Sequence, residues 1–73
     1  MKEKHQAIFA AIGRNIRRIR KEQKLSQQDL ANKCDVDRAK ISTIETAKED
    51  FHFTTLLELA DALNVKPKEL LDY

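Results

Sequence analysis

The side chains best suited to a chemical task lie in one short segment, RAKISTIE at residues 38–45. Ile41 and Ile44 recur at a spacing of three, which predicts a short helix with one buried face. The positions that point away from this face are Arg38, Ala39, Lys40, Ser42 and Thr43. Guanidinium, ammonium and hydroxyl groups suit base edges and phosphates in the major groove of double-stranded DNA. The segment therefore predicts a helix whose outer face is suited to contact DNA.

Capping signals mark this helix and a shorter one before it. Ser26 is a good N-cap, and Asp29 three residues later can complete a capping box, so a helix is predicted to begin at Gln27. Residues 34–36 interrupt the apolar pattern, and Asp37 then caps the next helix. Helices this short are unstable alone, so neighbouring elements must hold the pair. Such a pair usually exists to present a surface.

Three further helices are predicted around this pair. Apolar residues at helical spacing indicate a first helix over about 6–23 and a fourth over about 53–63, with Phe53 returning the chain to the core. A short fifth helix is predicted over about 67–72. Gly13 costs the first helix stability, and we expect it to permit a close contact. The expected fold is an all-α, compact five-helix bundle.

Length and composition limit the function classes. Seventy-three residues make at most one domain, so residues 1–73 are expected to form a single one. The single cysteine, Cys34, occupies an apolar core position and fits a reducing cytoplasm. No run approaches the length of a membrane span. His5 and His52 have no partner at ligand spacing, and no glycine-rich phosphate loop or catalytic set is present. We therefore expect no metal, no cofactor and no enzyme activity.

Charge is divided unevenly along the chain. Residues 1–48 carry a net charge of +6, whereas residues 49–73 carry −4. The basic part includes the solvent side of the predicted first helix, with Arg14, Arg17 and Arg18. A basic first part suits a polyanionic partner, and an acidic last part suits another role.

The sequence resembles the lambdoid phage repressor and Cro family of helix-turn-helix domains. The resemblance is carried by IGRNIR at 12–17, by LSQQDLANKCDVDRAKISTIE at 25–45 and by TLLELADALNV at 55–65. Joint agreement of caps, apolar positions and spacing is far more specific than any lone short motif. The resemblance implies a helix-turn-helix proper over about 26–46 and a DNA-binding transcriptional regulator, either a repressor or a controller.

The resemblance also implies roles for individual residues. Gln27 matches a family glutamine that binds a phosphate and braces the recognition helix. Positions that contact base edges are matched by Arg38, Ala39 and Thr43. Positions that contact the DNA backbone are matched by Lys40, Thr46, Lys48 and His52. Arg20 and Glu45 match an ion pair that ties the first helix to the end of the recognition helix.

Three positions depart from the family pattern. Asp35 stands where a turn glycine is usual, and aspartate tolerates the positive φ expected there better than most residues. Ala47 replaces the glycine after the recognition helix, so a longer helix or a different ending is expected. That change puts the backbone contacts of Thr46 and Lys48 in doubt. Acid at 49–50 would repel phosphate and tilt or weaken the docking.

A homodimer on an inverted repeat is expected, because one short recognition helix buries too little surface for a regulator. Half-site centres would then lie about 10–10.5 base pairs apart. The expected dimer surface consists of Leu70, Leu71 and Tyr73, to which the fourth helix can add. The alternative is a protein-interaction module, such as an antitoxin or an adaptor subunit, that binds a protein partner. The acidic last third favours this alternative weakly, whereas the basic first helix opposes it.

Overall fold

The computed structural model describes residues 2–72. This part of the chain contains five α-helices and no strand. The helices are α1 (Glu3–Glu22), α2 (Gln27–Ala31), α3 (Arg38–Glu45), α4 (Phe53–Ala62) and α5 (Pro67–Leu70). The all-α fold of five helices predicted from the sequence is confirmed. α1 begins earlier than predicted because its first turn carries no apolar residue that would reveal it. No helix in the described range is both long enough and apolar enough to span a membrane.

The five helices share one apolar core. Its side chains with almost no solvent exposure are Ile16, Leu30, Ile41, Ile44, Leu56, Leu59, Leu63 and Leu70. α2 has five residues and α5 has four, far fewer than an isolated helix needs to be stable in water. Burying a leucine side chain contributes about 1.5–3 kcal/mol. Leu30 and Leu70 therefore hold these two short helices to the rest of the domain.

A different phenylalanine from the one predicted returns the chain to the core. Phe53 begins α4 with 61% of its surface exposed. Phe51 is half-buried instead, and its ring meets that of Phe9 edge to face with centroids 5.2 Å apart. Phe51 thus occupies the position beside α1, whereas Phe53 lies on the solvent side. The prediction for Phe53 was therefore wrong.

α3 ends at Glu45, because the chain turns sharply at Ala47. Ala47 has a φ of 54°, the left-handed conformation that glycine usually supplies. Its N–H donates to the carbonyl of Ile44 at 3.2 Å, and the N–H of Lys48 donates to that of Thr43 at 3.0 Å. These two bonds form the ending that a glycine would give. The longer helix considered from the sequence is therefore not formed.

The turn between α2 and α3 needs no residue with a positive φ. Within the described chain, Asp35 does not have a positive φ. The left-handed conformation expected from the sequence at this position is therefore not formed, and that prediction was wrong. α2 instead unwinds through right-handed turns, in which the N–H groups of Lys33 and Cys34 donate to Leu30 and Ala31. Aspartate fits this turn without the strain that a left-handed conformation would add.

α1 crosses α3 at Gly13, where a close contact was expected and is present. A Cβ atom built on Gly13 would lie 2.9 Å from the carbonyl oxygen of Glu45 and would also collide with that of Ile44. Both neighbours are backbone atoms, so neither can rotate away. Glycine in a helix interior costs about 1 kcal/mol relative to alanine. Here that cost permits the two helix backbones to touch.

Candidate DNA-binding surface

The N-terminus of α3 is capped and faces solvent. The carboxylate of Asp37 accepts a hydrogen bond from the N–H of Lys40 at 2.8 Å, as the sequence predicted. Arg38 and Ala39 follow this cap and are exposed. In helix-turn-helix domains the first residues of the second helix contact base edges. These two side chains are therefore available for direct contact with a ligand.

One turn later, α3 presents two half-buried hydroxyl residues, Ser42 and Thr43. The hydroxyl of Thr43 donates to the carbonyl of Lys40 at 2.8 Å, and that of Thr46 donates to the carbonyl of Ser42 at 2.8 Å. The two threonine hydrogens are thus used inside the protein. The lone pairs and methyl group of Thr43 remain for a partner, which suits a base donor or a thymine methyl.

An open groove of about 600 Å³ lies beside the turn between α2 and α3. Gln28, Cys34, Arg38 and Ala39 are among its lining residues. Cys34 is half-buried, and its thiol donates to the carbonyl of Leu30 at 3.4 Å. The cysteine thus lies at the edge of the core rather than inside it. Gln28 was not singled out from the sequence, because nothing in its spacing distinguishes it from an ordinary exposed residue.

A buried ion pair fixes the other end of α3. The guanidinium of Arg20 donates through Nε to Oε2 of Glu45 at 2.8 Å and through Nη2 to Oε1 at 2.9 Å. The two side chains are only 8% and 2% exposed. A third donor, Nη1 of Arg20, binds the carbonyl of Leu25 at 2.8 Å. Hydrogen bonding to Glu45 raises the pKa of Arg20 above its ordinary value, although burial opposes this.

α2 reaches the same carboxylate through Gln27. Its Nε2 donates to Oε1 of Glu45 at 3.2 Å, so one carboxylate joins α1, α2 and α3. The predicted capping box spans Gln27 and orients it. The N–H of Asp29 donates to Oγ of Ser26 at 2.9 Å, and the N–H of Ser26 donates to Oδ2 of Asp29 at 2.9 Å. Hydrogen bonds from the Ser26 amide and side chain lower the pKa of Asp29. Gln27 thus braces α3 through Glu45.

The loop after α3 carries the remaining residues that the sequence predicted to contact the DNA backbone. Thr46, Lys48 and His52 are all exposed. His52 stands at the N-cap of α4 without a side-chain cap. Lys40, in contrast, is half-buried, and its ammonium group lies 3.2 Å from the carbonyl of Asp50. The side chains of Thr46, Lys48 and His52 are therefore accessible to solvent, whereas that of Lys40 turns toward the protein.

The proposed dimer surface needs a correction. Leu70 has no exposed surface, and Leu71 is half-buried against the core. Tyr73 lies outside the described residues. Leu70 is the buried residue of α5, so the short helix would have little to hold it if this side chain faced outward. Within the described chain, the large apolar side chains that are exposed are Phe53 and Leu57, at 61% and 40%.

Residues 2–72 contain no group of three or more histidine, cysteine or carboxylate side chains arranged to hold a metal ion. His5 is exposed in the first turns of α1, and His52 is exposed before α4.

Comparison with known proteins identifies relatives over nearly the whole described chain. The sequence profile of helix-turn-helix domains matches residues 16–70. The control protein C.BamHI of Bacillus amyloliquefaciens is 37% identical over 67 residues, which cover 90% of this chain and 83% of that protein.

Solved structures agree with this result. The restriction-modification controller protein C.AhdI of Aeromonas hydrophila superimposes with a TM-score of 0.86 at 32% identity, over 90% of this chain and 96% of that one. C.Esp1396I in a nucleoprotein complex gives a TM-score of 0.75 at 28% identity, over 90% and 96% of the two chains. The fold and the order of its helices are therefore those of known controller proteins.

Two matched substitutions test the buried ion pair. Glu45→Ala leaves the Arg20 guanidinium buried without a carboxylate, which should lower the free energy of unfolding by about 3–5 kcal/mol. Glu22→Ala removes the exposed partner of Arg18, an ion pair of 3.4 Å on the same helix, and should cost at most about 1 kcal/mol. Urea unfolding followed by circular dichroism measures both. Equal, small losses for the two variants would contradict the assigned role of Glu45.

Proposed function

Because the chain belongs to the helix-turn-helix family, in its phage-repressor and Cro type, we propose that it is a sequence-specific DNA-binding transcriptional regulator, a controller or a repressor. The observation that carries this proposal is the arrangement of α3. Its first residues, Arg38 and Ala39, are exposed beside a cap, while its last residue, Glu45, is buried in an ion pair. A helix held at one end and open at the other suits insertion into the major groove.

Base reading is assigned to three side chains of α3. Arg38 is exposed, and within residues 2–72 its guanidinium makes no side-chain hydrogen bond. Two of its three nitrogens can therefore donate to O6 and N7 of a guanine. Ala39 permits close approach or touches a thymine methyl. Thr43 offers its methyl group and oxygen lone pairs one turn later. Ser42 lies on the same surface and completes it.

Phosphate contacts would hold this helix in register. Gln27 stands at the first position of α2, where the family resemblance implies a phosphate contact. Lys48 is exposed in the loop that follows α3, His52 is exposed at the N-cap of α4, and Thr46 is exposed at the C-cap of α3. Contacts of this kind position a protein on DNA but carry no sequence information.

A regulator of this kind acts where the DNA is, which in a cell without a nucleus is the cytoplasm.

We further infer that the regulator is a homodimer joined through α4. Phe53 and Leu57 lie one helical turn apart and are both exposed. Glu58 and Asp61 flank them, which keeps this surface away from phosphate. A two-fold axis would bring each apolar pair against its copy. The patch is small, so the dimer is expected to be weak and to assemble more fully on an inverted repeat.

Arg38→Ala tests the assignment of base reading. Sites are first selected from a random DNA pool with the unaltered protein. The variant should lose about 1–3 kcal/mol of binding free energy to the selected site and should relax the preference at one position per half-site. Lys48→Ala should instead weaken all sequences alike and flatten the salt dependence. Arg18→Ala is the control. Although Arg18 belongs to the basic solvent side of α1, it lies beside α5 in a groove lined by Glu22 and Glu69, so we expect it to make no contact with DNA.

Retention of the full sequence preference by Arg38→Ala would reassign the reading residue. Failure of the unaltered protein to bind any selected duplex at low salt would instead favour the alternative of a protein-interaction module.

Substitution of both exposed apolar residues of α4 tests the dimer. Phe53→Ser with Leu57→Ser should be monomeric in sedimentation at concentrations at which the unaltered protein associates. It should also lose cooperative binding to an inverted repeat, yet keep its affinity for one half-site. Thr54→Ser, on the same exposed side of the helix, should change neither property. A purely monomeric unaltered protein that binds one-to-one to a non-repeated site would contradict the proposal.

A further inference from the structure

Lys40 lies in the recognition helix, yet its ammonium group is already occupied. Nζ donates to the carbonyl oxygen of Asp50 at 3.2 Å and lies 3.8 Å from Oε2 of Glu49. The Lys40 side chain is 35% exposed, whereas that of Glu49 is 66% exposed. The lysine is therefore drawn against the loop after α3, and the carboxylate reaches it from the solvent side.

The path of the loop is fixed independently of this ion pair. Ala47 turns the chain in its left-handed conformation, and the N–H of Lys48 donates to the carbonyl of Thr43. The amide of Gln6 in α1 donates to the carbonyl of Ala47 at 3.1 Å. With its first half held in this way, the loop carries the backbone of residues 49 and 50 past the side of α3. The acidic group thus stays near Lys40 even when the ion pair opens.

We propose that Glu49 competes with DNA phosphate for Lys40, so that the loop masks one phosphate contact of the recognition helix. This inference rests on the proposed DNA-binding function. A carboxylate oxygen and a carbonyl oxygen offer the ammonium group the same kind of partner as two oxygens of a phosphate. An incoming phosphate must therefore displace Glu49, or it must approach Lys40 while the negative charge of Glu49 is still beside the ammonium group.

Displacing Glu49 makes the binding free energy less favourable, and it does so for every DNA sequence alike. Exposed ion pairs are weak, so phosphate can displace Glu49. Each phosphate neutralised by the protein steepens the salt dependence of affinity by about 0.9 on a logarithmic scale. Arg38, which is assigned to base reading, makes no hydrogen bond or ion pair with the loop in the described chain. Glu49 thus lowers the general attraction to DNA without contacting the reading residue.

A double-mutant cycle on duplex DNA of random sequence tests this inference. Glu49→Gln should raise the affinity about threefold to fivefold and steepen the salt dependence by about one phosphate contact. When Glu49 is present, Lys40→Met should weaken binding only slightly. In the Glu49→Gln background, Lys40→Met should abolish the gain, because the freed lysine is what produces it. Unchanged unfolding temperatures would establish that all four proteins are equally folded.

Glu22→Gln is the matched control. Glu22 is also exposed and also pairs with a basic residue, Arg18, but it lies beside α5. Its affinity and salt dependence should match those of the unaltered protein. An unchanged affinity for Glu49→Gln would overturn the inference, and so would a gain that persists in Glu49→Gln with Lys40→Met. Absence of binding by the unaltered protein, even to selected sites, would instead overturn the proposed function itself.

Discussion

The buried pair of Arg20 and Glu45 is the interaction on which the rest of the arrangement depends. Removing a carboxylate from water is costly unless its oxygens are fully paired. Here they receive two bonds from Arg20 and one from Gln27, and no buried side-chain nitrogen or oxygen in residues 2–72 lacks a partner. These bonds require α1, α2 and α3 to meet at one point. Gly13 allows the backbones of α1 and α3 to come close enough for this.

This one-sided anchoring explains how so short a helix can present a defined surface. α3 has eight residues and would not be stable alone in water. Its C-terminal end is held by Glu45 and by the turn at Ala47, while Ile41 and Ile44 are buried along its inner face. Its N-terminal end needs only the Asp37 cap. The turn that begins at Arg38 is therefore held in position by the cap and the buried face without being covered.

Local chemistry made much of the fold predictable, and long-range packing limited the rest. Caps are local, so Ser26 and Asp37 marked the starts of α2 and α3 correctly. The pairing of residues 20 and 45 came only from the family resemblance, because no spacing rule joins residues so far apart. The aperiodic segment 46–52 gave no means to choose between Phe51 and Phe53 for the core. The link between Lys40 and the loop likewise depends on the turn at residue 47.

Nuclear magnetic resonance can test directly whether α3, held at its C-terminal end, contacts DNA through its start. Nitrogen-15-labelled protein would be titrated with a duplex selected from a random pool. Contact through the start of α3 should give the largest backbone amide shifts at residues 38–43, with smaller ones at Gln27 and at 46–48. α5 and the exposed face of α1 around Arg14 should change little. Shifts concentrated on α1 or α4, with α3 unaffected, would contradict this mode of contact.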